Sequence, residues 1–143
     1  MGLGVQHDTF LEESARGLAG VNLGVGGFLS ENLALMFRIS GTNVSYDFDS
    51  DFGLVHVSQV SGVAGPTLQY WVSDRFNVEA GLGGGLWESE GESESGLGLI
   101  LGAAVTIFNR GKHNLQLGVE YAPAFTDPGT IHNLGFTLGY QFL

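Results

Sequence analysis

Over residues 133–142 the side chains alternate in character. Asn133, Gly135, Thr137, Gly139 and Gln141 fall on one side, and Leu134, Phe136, Leu138, Tyr140 and Phe142 on the other. A period of two is that of a β-strand, whose successive side chains point to opposite faces. The polar face is built from Gly, Thr, Asn and Gln rather than Lys and Glu. It therefore suits a wall lining a small enclosed space, and the apolar face then looks outward.

The same alternation, read together with the turn signals, predicts eight strands over 2–11, 17–28, 33–46, 54–72, 76–87, 96–108, 114–125 and 131–142. Their outward positions are apolar, as in Leu33, Leu35, Phe37 and Ile39 or Leu97, Leu99, Leu101, Val105 and Ile107. Their inward positions are small or polar, as in Ser40 and Thr42, Gln59 and Ser61, Thr67 and Gln69, or Gln116 and Gly118. A strand face in contact with water normally carries many charges, yet the seven clearer strands hold only Arg38, Glu79 and Glu120 in their interiors. An apolar exterior repeated on strand after strand is tolerable only in lipid, where a closed barrel satisfies every backbone group. The expected fold is all-β: one eight-stranded antiparallel up-and-down transmembrane β-barrel over residues 1–143. A soluble barrel of the lipocalin or avidin kind also alternates, and the scarcity of strand charges is what argues against it.

Three places fit this pattern badly. The first strand would turn His7 and Thr9 toward lipid, Val55 and Val57 lie out of phase with Val60, and Pro66 lacks a ladder donor.

Composition narrows the picture further. The chain has 143 residues, room for one domain, with 24 Gly, 14% charged and 43% hydrophobic residues. That much Gly disfavours helices, and no apolar run reaches the length of a transmembrane helix. With no Cys there is neither disulfide nor thiolate metal site. The net charge of −10, with only five Lys and Arg, argues against a nucleic-acid partner. No Lys/Arg-led apolar leader is present, and Met1-Gly2 reads as a start from which a signal peptide has been removed.

The connections fall into two alternating classes. Leu29 to Asn32, Ser73 to Arg75 and Asn109 to His113 are short, whereas Glu12 to Arg16, Asp47 to Gly53, Glu88 to Ser95 and Thr126 to Thr130 are acidic and mostly longer. Tight turns at one rim and longer loops at the other is the asymmetry of an outer-membrane barrel.

The chain resembles the small eight-stranded outer-membrane barrels of Gram-negative bacteria, the OmpA transmembrane-domain and OmpX type. The resemblance rests on the closing strand Leu134 to Phe142 and on Gly65 to Phe76, which looks like strand, periplasmic turn and strand. It implies a location in the bacterial outer membrane among lipid and lipopolysaccharide. It also implies that the barrel-assembly machinery reads the last strand through Phe136, Leu138, Tyr140 and Phe142. Such proteins usually end on the aromatic residue, whereas Leu143 follows here.

Four groups of residues are candidates for chemistry. Arg38, Glu79 and Glu120 share inward parity and similar depth, so the guanidinium is expected to bridge one or both carboxylates and plug the lumen, a charge in so narrow a space being costly unless paired. The alternative is a gate in a narrow, cation-preferring pore. Ten of the fifteen carboxylates lie on the long-loop side, among them Asp47, Asp49 and Asp51 and Glu88, Glu90, Glu92 and Glu94, as flexible solvated loops that attract divalent cations. The spacing Asp47, Asp49, Asp51 opens like an EF-hand loop, but Phe52 replaces the turn Gly and no Glu closes it, so no metal site is expected.

His7, His56 and His132, near Ser45, Ser58 and Ser61, are the only hint of a lipid A-modifying enzyme, with no recognisable catalytic spacing. Aromatic residues form two bands, with Trp71 and Trp87 inward by parity. Together these readings point to a monomeric, non-enzymatic outer-membrane protein without cofactors, structural or interactive in role.

Overall fold

Among the described residues nine strands follow one another with no helix between them: β1 (Gly2–Asp8), β2 (Glu13–Ser30), β3 (Leu33–Ser50), β4 (Gly53–Ser73), β5 (Phe76–Ser89), β6 (Glu92–Arg110), β7 (His113–Tyr121), β8 (Ala124–Phe125) and β9 (Thr130–Phe142). The computed structural model describes residues 2–8, 13–50, 53–89, 92–110, 113–127 and 129–142, with side chains placed over 22–44, 58–89, 92–110, 113–127 and 129–140. All pairings are antiparallel; from β1 to β7 they join sequence neighbours, β9 pairs with both β7 and β8, β8 also pairs with β6, and the pairing of β1 with β9 closes the sheet into a barrel.

The stave expected over 114–125 is broken into β7 and β8 at Ala122 and Pro123. Pro123 has no N–H for the ladder, although its carbonyl still accepts the Leu99 N–H at 3.0 Å. Since β6 and β9 each pair with both pieces, β7 and β8 count as one stave and the wall has eight. At Pro66 the ladder to β5 skips Gly65 and Pro66 without a change of register.

Side-chain direction follows the alternation. Val25 is 73% exposed, Leu97 75% and Phe136 65%, whereas the inward Thr67, Gln69 and Asn133 are buried. On the closing strand Leu134, Phe136 and Leu138 all face outward. A soluble carrier would need them sealed inside, so that alternative is excluded. Exposed Phe28, Phe76, Phe108 and Tyr140 form a band near the short turns, and Phe125 with half-buried Tyr121 stands near the other rim.

Two expectations are corrected here. In the stretches expected as loops over Asp47 to Gly53 and Glu88 to Ser95, the described residues, 47–50, 53, 88–89 and 92–95, lie in strands. The β3–β4 ladder runs unbroken from Leu33↔Tyr70 to Ser50↔Gly53, and β5–β6 runs to Ser89↔Glu92. With 18 and 21 residues, β3 and β4 are about twice the 9–11 residues a tilted strand needs to cross a bilayer. The hairpin therefore continues past the membrane, because its backbone groups still find partners across the ladder.

The interior, secondly, is polar over only part of its height. Val63, Ile100, Ala122 and Ala124 pack together inside the long-loop end, and Val44 and Ile131 are buried as well. Parity carried the signal, since Val63 stands between inward Ser61 and Gly65, and Ile100 between inward Gly98 and Gly102.

β1 lines only part of the wall. Its ladder to β2 ends at Gly2↔Ala19 and its ladder to β9 at Gly4↔Gly135. Among the described residues, 20–30 of β2 and 136–142 of β9 have no strand paired to the edges that face each other.

Candidate functional site: the charged lumen

Register sets the geometry of the lumen before any contact is counted. Around one side of the barrel Glu79 lies opposite Gly102, Gly102 opposite Glu120, and Glu120 opposite Gly135. On the other side Arg38 lies between Gly24 and Gly65. Each of Arg38, Glu79 and Glu120 thus has a glycine beside it, which leaves room for a long side chain to cross the lumen. At Gly24 the need is direct, since a Cβ there would stand 2.5 Å from Arg38 Cδ.

The structure brings the three charges together. Arg38 Nη2 donates to Glu120 Oε2 at 2.8 Å, and Arg38 Nη1 lies 3.3 Å from Glu79 Oε2. Asn22 Nδ2 also donates to Glu120 Oε2 at 2.5 Å, and the Ser40 hydroxyl donates to Glu120 Oε1. Thr67 Oγ1 donates to Glu79 Oε1. Both carboxylates are buried, so the Coulomb attraction and these donors together offset their desolvation. One guanidinium faces two carboxylates, and the layer carries a formal charge of −1. The hydroxyl and amide donors escaped the sequence reading. Asn22, Ser40 and Thr67 had the inward parity, but which carboxylate each would reach depends on strands up to 98 residues apart.

Toward the long loops a second knot closes the lumen. Asn133 Oδ1 accepts from Thr42 Oγ1 and Ser61 Oγ, each at 2.7 Å, and Asn133 Nδ2 donates to the Ala122 carbonyl at 3.0 Å. The apolar layer of Val63, Ile100, Ala122 and Ala124 lies beyond it. It fits because Gly98 has no side chain, a Cβ there standing 2.5 Å from Val63 Cγ1.

From Tyr140 near the short turns, past the charged layer and up to Asn133, the lumen holds a cavity of about 330 Å³, lined by Arg38, Gln69, Asn77, Glu79 and Gln116 among others. Its walls are polar, and a space of that size accommodates several waters. Gln69 Nε2 donates to Asn77 Oδ1 at 2.9 Å, while Asn77 Nδ2, Trp71 Nε1 and Asn114 Oδ1 find no partner among the described residues.

The remaining candidates lie apart from this site. Asp47 and Asp49 sit on β3 opposite His56 and Leu54, and Glu88, Glu92 and Glu94 sit on the extended β5–β6 hairpin. Asp51 and Glu90 fall outside the described residues. Among the described residues no three His, Asp or Glu side chains gather to hold a metal. His132 Nδ1 is 2.6 Å from the Tyr121 hydroxyl with the two rings stacked on the outer surface. Ser61 points inward to Asn133, on the other side of the wall from His132. Ser58 donates to Asn43, and the side chains of Ser45, His7 and His56 fall outside the described residues. In the closing strand Phe136, Leu138 and Tyr140 are exposed, and Phe142 pairs with His113.

An apolar exterior, eight antiparallel staves, a charge-bridged lumen and tight turns at one rim define the fold of a small eight-stranded transmembrane β-barrel. Two solved structures are similar to it: Ail, the attachment invasion locus protein of Yersinia pestis, in complex with the heparin analogue sucrose octasulfate, and Ail alone. The first has a TM-score of 0.69 at 15% identity, and the second 0.64 at 16%; each match covers 99% of this chain and 94% of Ail. No protein-family model and no curated protein sequence matches the chain. The likeness is therefore one of fold, carried by residue type at inward and outward positions.

Proposed function

We propose that this protein is a monomeric, non-enzymatic surface protein of the bacterial outer membrane, whose lumen is plugged and whose acidic rim contacts the lipopolysaccharide layer through divalent cations. The observation that carries the plug is the single guanidinium of Arg38 engaging Glu79 and Glu120 together, directly below a knot centred on Asn133. The Asn133 knot and the apolar layer of Val63, Ile100, Ala122 and Ala124 beyond it close the lumen above a cavity that reaches past the charged layer. The rim reading is supported by the ten carboxylates on the long-loop side, offset there only by Arg16. Divalent cations take carboxylate oxygens readily and already bridge phosphates at such a surface. A polyanion of the kind bound to Ail meets repulsion at this rim. During insertion the barrel-assembly machinery would read the closing strand through Phe136, Leu138, Tyr140 and Phe142.

Planar-bilayer recording tests the plug. The protein is expected to be silent across a wide range of voltage and salt, and steady conductance would overturn this reading. The cavity of about 330 Å³ favours a second reading, a gated, cation-preferring pore, which the same recordings would reveal as discrete voltage-dependent openings.

A further inference from the structure

Where β1 meets β9, the register that closes the barrel sets two histidines side by side. His7 on β1 stands directly opposite His132 on β9. Directly opposite positions in an antiparallel ladder share one face, with Cβ atoms about 4.5–5.5 Å apart. The face is the outer one, because the next pair on it is Val5 opposite Leu134, and Leu134 is exposed. Both positions lie near the long-loop end of the wall, since β1 ends at Asp8 and β9 begins at Thr130. The pair is thus on the opposite side of the wall from the charged lumen.

His132 is also held in place by a neighbour. Its strand pairs with β7 as far as Tyr121↔Leu134 and with β8 from Ala124↔Ile131, so His132 stands beside the break at Pro123. Across that break the Tyr121 ring stacks on the imidazole, with centroids 5.9 Å apart and 8° between the planes, and the Tyr121 hydroxyl is 2.6 Å from Nδ1. An imidazole whose Nδ1–H donates to an oxygen has Nε2 as its basic nitrogen, and such an outer hydrogen bond is the usual companion of a metal-bound histidine.

We propose that His7 and His132 together bind a divalent transition-metal ion, zinc or copper, on the outer face of the long-loop rim, His132 through Nε2 and with Tyr121 as its positioning residue. Two imidazoles on adjacent strands at that Cβ spacing can converge on one ion at about 2.0–2.1 Å from each nitrogen. Imidazole suits zinc, copper and nickel, whereas magnesium and calcium take oxygen, so the site is chemically distinct from the rim carboxylates and does not rest on their role. Water fills the coordination positions that the two imidazoles leave. Arg16, opposite Val5 on β2, shares the face, but ten carboxylates lie on the long-loop side and the field there favours a cation. His113 at the other rim supplies an internal contrast. It too has a tyrosine hydroxyl, that of Tyr140, at Nδ1, but its ladder partners are Arg110 and Phe142, neither of them a histidine.

The test uses the full chain without a histidine tag, refolded in detergent micelles, stripped of metal with a chelator and titrated calorimetrically with Zn²⁺. One ion per chain is expected, and binding is expected to persist in excess Mg²⁺. His7→Ala and His132→Ala should each weaken binding by about tenfold or more, and His113→Ala should leave it unchanged. Unchanged affinity in either of the first two variants overturns the proposal. So does displacement of Zn²⁺ by Mg²⁺, which would put the ion on the rim carboxylates. Copper spectroscopy of the unsubstituted protein keeps the test independent of how the variants fold: hyperfine coupling to two imidazole nitrogens is expected, and coupling to one or none overturns the proposal. Tyr121→Phe should weaken Zn²⁺ binding about tenfold while the unfolding midpoint of the metal-free protein stays in place, and an unaltered affinity would overturn its positioning role.

Discussion

The two ends of the lumen solve the same filling problem by opposite means. Near the long loops, Val63, Ile100, Ala122 and Ala124 pack without a charge among them. Near the middle and the short turns, Arg38 reaches across to Glu79 and Glu120, and the space below is polar. Apolar packing tolerates loss in proportion to the volume removed, and it holds no preference for a particular partner. A buried ion network is less forgiving, because deleting one member strands the others. The comparison teaches that loss within the charged layer is felt by every member at once, whereas loss within the apolar layer is graded by the volume removed.

The largest expected effect breaks the charged layer. Arg38→Met should lower unfolding stability in micelles by about 3–5 kcal/mol, since it leaves two carboxylates buried without their cation. Adding Glu79→Gln and Glu120→Gln to that variant should restore most of the loss. Denaturant titration of the single and triple variants checks this, and equal stability of the two would show that the network is not the source. Arg38→Met is also the variant most apt to conduct in a planar bilayer.

Ile100→Ala tests the other end. It should cost about 2–4 kcal/mol, in line with a fully buried aliphatic side chain, and leave conductance at zero. A leak at Ile100→Ala with none at Arg38→Met would reverse the division of labour between the two layers.

Gly24→Ala sharpens the comparison without removing a charge. Its methyl group would displace the Arg38 side chain, at a cost of about 1–3 kcal/mol by analogy with overpacked cores. Gly98→Ser, against Val63 in the apolar layer, should be of similar size but silent in recordings.

The smallest effect on stability belongs to the rim. Glu92→Gln with Glu94→Gln lies in the extended hairpin and should change unfolding by less than about 0.5 kcal/mol. Isothermal titration with Mg²⁺ in the presence of lipopolysaccharide should nonetheless weaken measurably, and unaltered titration would remove the hairpin from the cation-bridging role.

Much of the architecture was legible in the residues themselves. Alternation located the staves, told outward Leu97 and Phe136 from inward Thr67 and Asn133, and placed Arg38, Glu79 and Glu120 on one side of the wall. It misread the acidic stretches near Asp47 and Glu88 as loose, because charge and turn-like composition look the same in a loop as in a hairpin that has left the membrane. It passed over Val44, Val63 and Ile100 as a dry layer, since an apolar residue among apolar neighbours carries no obvious sign of which face it serves.

The chain by itself determined the period, the sidedness and the number of staves, because these depend on which face of each strand meets lipid, a local property. Only the tertiary structure decided which donor meets which carboxylate and where the lumen turns dry. Those depend on register and on distances across the barrel, set by strands far apart in sequence and by the glycines that let long side chains pass between them.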